Sequence, residues 1–141
     1  MQIDLKPYSF PILAFAGFLL VGMGLYFIFL RPSLLPEDLK YIGSTLQNVQ
    51  ENFPGSLYWL KKVFLVMGGF VFTTGVLIMY ISLTSFRHRQ PGAYVIAAFA
   101  GITSIGLMTV VNFMISSEFR WVLLIFTLPW LMALILYRLH K

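Results

Sequence analysis

The stretch VFLVMGGFVFTTGVLIMYISLTSF, residues 63–86, decides the fold, because its 24 consecutive residues include no acidic, basic or histidine side chain. A hydrocarbon layer about 30 Å thick is crossed by about 20 apolar residues rising 1.5 Å each. Inside it every backbone donor and acceptor must find its partner within the protein, and a single run of this length does so as an α-helix. Working outward, residues 7–30, 90–117 and 121–137 form three more windows free of charge. The spans predicted from them are 9–30, 63–86, 93–117 and 121–137, within one integral membrane domain covering residues 1–141. The first window imitates a secretory signal, with Lys6 in front and Ala14-Phe15-Ala16 resembling a cleavage site. It continues to Leu30, far past a short signal core, and is read as a retained span.

Composition points the same way. Hydrophobic residues make up 59% of the chain and charged residues 11%, against about 25% charged in a soluble domain. The net charge of +5 is confined almost wholly to the gaps between apolar runs. That distribution is membrane topology, not the basic face that nucleic-acid binding requires. The absence of cysteine excludes disulfides, a thiolate nucleophile and thiolate-held zinc or iron–sulfur clusters.

Two of the connections are tight. Arg87-His88-Arg89-Gln90-Pro91-Gly92 and Ser116-Ser117-Glu118-Phe119-Arg120 each predict antiparallel neighbouring helices. In the long connection, Leu35, Leu39, Ile42, Leu46, Val49 and Phe53 recur at alternating steps of four and three, one face of a helix. Pro36 suits its first turn, Glu37 and Asp38 the positive end of its dipole, and Pro54-Gly55 its end. The expected fold is therefore all-α: four transmembrane helices in an antiparallel bundle, with one amphipathic helix over about 36–53. The opposite face of that helix, with Lys40, Ser44, Gln47, Asn48 and Glu51, is polar without being basic. Attraction to anionic lipid is a poor account of it, and a lid on the bundle or a docking surface fits better.

Trp59 with Lys61 and Lys62, Arg87 and Arg89 followed by Tyr94, Trp121 beside Arg120, and Tyr137 with Arg138 mark the water interfaces. Lysine and arginine tie across the membrane. Lys6, Arg87, Arg89, Arg138 and Lys141 lie on one side, Arg31, Lys40, Lys61, Lys62 and Arg120 on the other. The first side has only Asp4 as a compensating acid, which points to both termini in the cytoplasm.

Helices in lipid associate through small residues that let backbones approach. Ala14, Gly17, Val21 and Gly24 share a face of the first span, and Gly68, Gly75 and Ser82 recur by sevens on the second. Ala93, Ala97 and Gly101 step by four along the third, and Ser104 continues the Ala97 row by seven. These ridges exceed what one bundle needs and so leave surface for a partner. The fourth span has only Ala133 as a small residue and is expected to face lipid or a bulky partner, bent at Pro129.

The apolar cores hold no Asp, Glu, Lys, Arg or His, so the intramembrane ionisable group that proton relays and coupled transporters use is missing. His88 lies in a turn and His140 beside the C-terminus, neither at the depth a haem ligand needs. No nucleophile elbow, H-E-x-x-H or phosphate loop occurs. Glu37 and Asp38, adjacent on a helix, diverge and do not form a catalytic pair. No enzyme activity, cofactor or metal is expected. Asn112, with Thr109 and Ser116 at neighbouring helical positions, is either an interhelical hydrogen-bonding group or one wall of a small polar pocket.

The pattern resembles small bacterial four-helix integral membrane proteins of the broad DoxX-like kind. The resemblance is carried by a Gly-rich first helix closing with Phe29-Leu30-Arg31-Pro32, a loop rejoining at Gly68-Gly69, and the turn Phe86-Arg87-His88-Arg89 opening an aromatic third helix. It implies a bundle in a bacterial inner membrane, sometimes an accessory to redox enzymes, and supplies no catalytic residue. The expected function is a non-catalytic accessory or structural subunit packing against a larger membrane complex, among membrane lipids. The alternative is a protein that binds or transports a lipid or small apolar molecule, with Asn112 in its cleft.

Overall fold

The computed structural model describes residues 8–139. Asp4, Lys6 and Lys141, used in the charge count above, and His140 lie outside the described residues. The chain is all-helical, with no strand among the described residues. Four helices are long and apolar enough to cross a membrane, which marks an integral membrane protein: α1 (Ser9–Leu30), α4 (Pro54–Phe86), α5 (Ala93–Met114) and α6 (Arg120–Leu139). Two short helices, α2 (Pro36–Ile42) and α3 (Leu46–Asn52), occupy the long connection. The last turns of α1 and α4 (Tyr26–Leu30 and Ser82–Phe86) and the middle of α5 (Ile102–Gly106) are wound as π-helix.

The connection departs from the single helix expected over 36–53. Gly43 sits at φ +66°, the left-handed conformation that closes a helix. Two residues later the Thr45 side chain accepts a hydrogen bond from the Asn48 backbone N–H at 3.2 Å and opens α3. Pro54 then starts α4 instead of ending a helix, so α4 is 33 residues long, about 50 Å at 1.5 Å per residue. That is about 20 Å more than the hydrocarbon requires. At the far end of α5, Ser116 at φ +55° turns the chain, and the helix stops at Met114, short of 117.

The core is one cluster. Leu13, Ala16, Leu20 and Met23 of α1 meet Ile78 and Phe86 of α4, Ala93, Ala97 and Ile105 of α5, and Leu123, Trp130 and Ala133 of α6. Helix α1 packs most extensively on α4 and next on α6, while α5 leans on α6 and touches α4 less.

The seam between α1 and α4 is made by the two small-residue ridges facing each other. A Cβ on Gly24 would lie 2.5 Å from the Phe72 nitrogen, and one on Gly75 would lie 2.6 Å from both the Gly17 carbonyl oxygen and the Val21 nitrogen. A Cβ on Gly68 would meet the Gly24 carbonyl oxygen at 2.9 Å. Every one of these contacts is with backbone, so the two helix axes approach as closely as only glycine permits. Ser82, fully buried at the end of the ridge, donates from its hydroxyl to the Phe10 carbonyl. The contacts run in opposite chain order, 10 with 82, 17 with 75 and 24 with 72. Gly17, Gly24, Gly68, Gly75 and Ser82 are thereby used inside the chain.

On α5 the small residues serve a different purpose. Ala97 and Gly101 form a hollow that takes the indole of Trp130, the largest fully buried side chain. The Trp130 ring N–H donates to the Ala97 carbonyl at 2.9 Å. Ala93 is buried in the core, and Ser104, half-buried, bonds back to the Ala100 carbonyl. Helix α6, which runs unbroken through Pro129, therefore contributes the central knob of the core as well as an outward face to lipid.

Candidate functional site

Helix α2 is held on the bundle by polar contacts from two residues adjacent in sequence, while α3 is seated by its buried Val49. Asp38 accepts from the Leu35 backbone N–H at 2.8 Å, capping its own helix, and from the Arg31 guanidinium at 3.1 Å. The Arg31 side chain is only 9% exposed, and its guanidinium lies 3.5 Å from the centre of the Phe64 ring on α4. A planar cation sandwiched between an aromatic face and a carboxylate is fixed in position. Glu37 points elsewhere. Its carboxylate accepts from the Ser117 hydroxyl at 3.0 and 3.2 Å and from the Glu118 backbone N–H at 2.8 Å. Ser117 is itself buried and its oxygen accepts from the Phe119 N–H. Thus Asp38 ties α2 to the end of α1 and Glu37 ties it to the turn between α5 and α6, while the two carboxylates serve separate partners.

This tethering leaves the apolar face mostly uncovered. Of the six residues at helical spacing, only Val49 is buried; Leu35 and Leu39 are half-buried, and Ile42, Leu46 and Phe53 are exposed. Tyr41 on α2 and Tyr58 and Trp59 on the first turns of α4 are also exposed, at 67%, 78% and 65%. Together they make an aromatic and aliphatic surface on the end of the molecule that carries the loop.

The opposite end gathers Arg87, Arg89 and Arg138. Phe86, Tyr94 and Tyr137 stack in a row, with ring centres 4.3 Å apart for Phe86 and Tyr137 and 5.5 Å apart for Tyr94 and Tyr137. Arg89 lies over Tyr137 and donates from Nη1 to its carbonyl at 3.2 Å; its buried Nη2 has no partner among the described residues. Arg138 faces the Tyr94 ring and Arg87 the Phe10 ring. The start of α1, the 87–92 turn and the end of α6 therefore meet at one end. Trp121, exposed on α6, packs edge-on against Phe113, and Lys61 and Lys62 are exposed on α4.

Thr109, Asn112 and Ser116, read as an interhelical hydrogen-bonding group or a polar pocket, each have their own surroundings. Thr109 is buried, bonds to the Ile105 carbonyl at 2.8 Å and meets the Thr127 hydroxyl of α6 at 2.9 Å. Asn112, half-buried, donates to the Met108 carbonyl of its own helix at 2.9 Å, and Ser116 is exposed on the turn. No hydrogen bond among the described residues joins the three. The Thr109–Thr127 pair is thus an interhelical polar contact of α5 beside the Trp130–Ala97 bond, and periodicity alone offered no partner for it. Among the described residues no group of three or more His, Asp or Glu side chains has metal-holding geometry.

No family model, no curated protein and no solved structure matches the chain.

Proposed function

We propose that this chain is a non-catalytic subunit that packs against a larger integral membrane assembly, as an antiparallel four-helix bundle with both termini in the cytoplasm of a bacterial cell. The observation supporting this is the exposure of Tyr41, Ile42, Leu46, Phe53, Tyr58 and Trp59 on α2, α3 and the first turns of α4. Exposed apolar side chains gathered at the end of a bundle mark an interaction surface. Helices α2 and α3 carry Lys40 against Glu37, Asp38 and Glu51, a balance that anionic lipid does not attract. A protein partner, whose binding rewards aromatic area more than charge, suits the surface better. The resemblance to DoxX-like bundles agrees with an accessory role. The test is the native mass of the tagged chain in mild detergent, with co-purifying polypeptides identified. The expected result is one larger membrane protein in fixed stoichiometry, released by Phe53→Ser with Trp59→Ser at unchanged helix content. A chain that purifies alone overturns the proposal.

A further inference from the structure

Where α1 ends against α4, a cleft of about 360 Å³ opens, lined by residues 27–33, Lys61, Lys62 and Leu65. This is within the range of small-ligand sites, about 300–1,000 Å³. One wall is the π-wound turn Tyr26–Leu30, sealed by the Arg31 N–H bonding to the Tyr26 carbonyl at 2.9 Å. Such turns often accompany functional sites. The cleft also sits at a definite depth. Helix α1 is 22 residues long, about 33 Å, so its end lies where hydrocarbon gives way to headgroups. Phe29 and Leu30 line the cleft and are exposed by 75% and 73%. Arg31, Lys61 and Lys62 are the basic residues of the lining.

The charges of this cleft are not balanced. Asp38 neutralises Arg31, and that pair is the one salt bridge among the described residues. Neither lysine has a carboxylate within 4 Å among the described residues, and no acid lines the cleft. The α2–α3 segment is acidic on balance, so the positive potential is local to the cleft.

We propose that this cleft holds the phosphate of an anionic phospholipid, with Lys61 and Lys62 pairing the phosphate, the Ser33 hydroxyl within the same lining, and the acyl chains running down past Phe29, Leu30 and Leu65. Apolar lining residues at the end of a spanning helix, together with two ammonium groups that have no carboxylate partner among the described residues, suit both parts of a lipid, whereas a free phosphate uses only the charged part. This assignment rests on the cleft and its lysines and not on the subunit proposal.

The test reconstitutes the full chain in nanodiscs of phosphatidylcholine, with or without phosphatidylglycerol, and follows lysine acylation by peptide mass spectrometry. Lys61 and Lys62 are expected to react several-fold more slowly with phosphatidylglycerol present, and Lys40, exposed on α2 at the same end, at an unchanged rate. In detergent, a retained phosphatidylglycerol is expected in native mass spectra, lost in the Lys61→Gln/Lys62→Gln double variant and kept in Lys61→Arg/Lys62→Arg. Equal slowing of Lys40 would show a general surface potential and overturn the site. So would survival of the lipid adduct in the glutamine variant. Equal protection by inorganic phosphate in phosphatidylcholine discs would show that free phosphate is the ligand and overturn the lipid assignment.

Discussion

The seams α1–α4 and α5–α6 both use small residues, and they use them in opposite ways. Between α1 and α4, glycines on each helix face the backbone of the other: Gly24 at Phe72, Gly75 at Gly17 and Val21, Gly68 at Gly24. Dispersion between closely set backbones holds such a seam, and main-chain atoms cannot move aside as a side-chain tip can. Between α5 and α6, the space above Ala97 and Gly101 of α5 is filled by the Trp130 indole. There the contact is a knob in a hollow, anchored by one hydrogen bond. A stripe of small residues therefore does not by itself say whether a backbone or a large side chain will fill it. The tolerance of the two seams to added volume should differ accordingly.

The largest effect is expected at Gly75→Leu, where the new side chain meets main-chain atoms on α1 and only separation of the helices relieves it. Overpacking costs about 1–3 kcal/mol where neighbours adjust and more where they cannot. Loss of a cooperative transition in circular-dichroism melts in detergent is the expected reading. A variant melting within a few degrees of the parent would break the backbone-contact account.

Trp130→Ala should come next, at about 3–5 kcal/mol for an emptied aromatic site, read as a lower midpoint in denaturant titration. Gly101→Ala should cost about 1–3 kcal/mol by pressing on the indole. Its sharper form is a double-mutant cycle: in a Trp130→Leu background the cost of Gly101→Ala should fall to within about 0.5 kcal/mol of zero. An unchanged cost would mean that the hollow is not shaped around the indole. The smallest effect belongs to Ser82→Ala. Removing one interhelical hydrogen bond in a membrane protein costs about 0.6 kcal/mol on average, and a midpoint shift as large as that of Trp130→Ala would make the hydroxyl, not the glycines, the main fastening of the α1–α4 seam.

Much of this was legible along the chain. Charge-free windows located four helices, and residues 9–30 begin and end where α1 does. Repeats of seven placed Gly68, Gly75 and Ser82 on one face. The break in the connection also had a local signal: Gly43 followed by Ser44 and Thr45 is a helix stop next to a helix start. An unbroken hydrophobic repeat across 35–53 obscured it, because periodicity averages over single-residue conformations. Trp130 was passed over because a tryptophan within an apolar span fits lipid and core equally by composition. Only the hollow at Ala97 and Gly101, about thirty residues earlier, decides between them. The contact of Glu37 with Ser117 joins residues eighty apart and leaves no local trace.

What the sequence determined by itself is the number and kind of the helices, since the length of an apolar run and the need to satisfy backbone polar groups in lipid are local conditions. Which ridge faces which, that α1 packs on both α4 and α6, and that two neighbouring carboxylates tether α2 in two directions were decided only in the tertiary structure. Those outcomes depend on the fit of surfaces far apart in the chain, and shape complementarity belongs to pairs of elements and is not carried by either one alone.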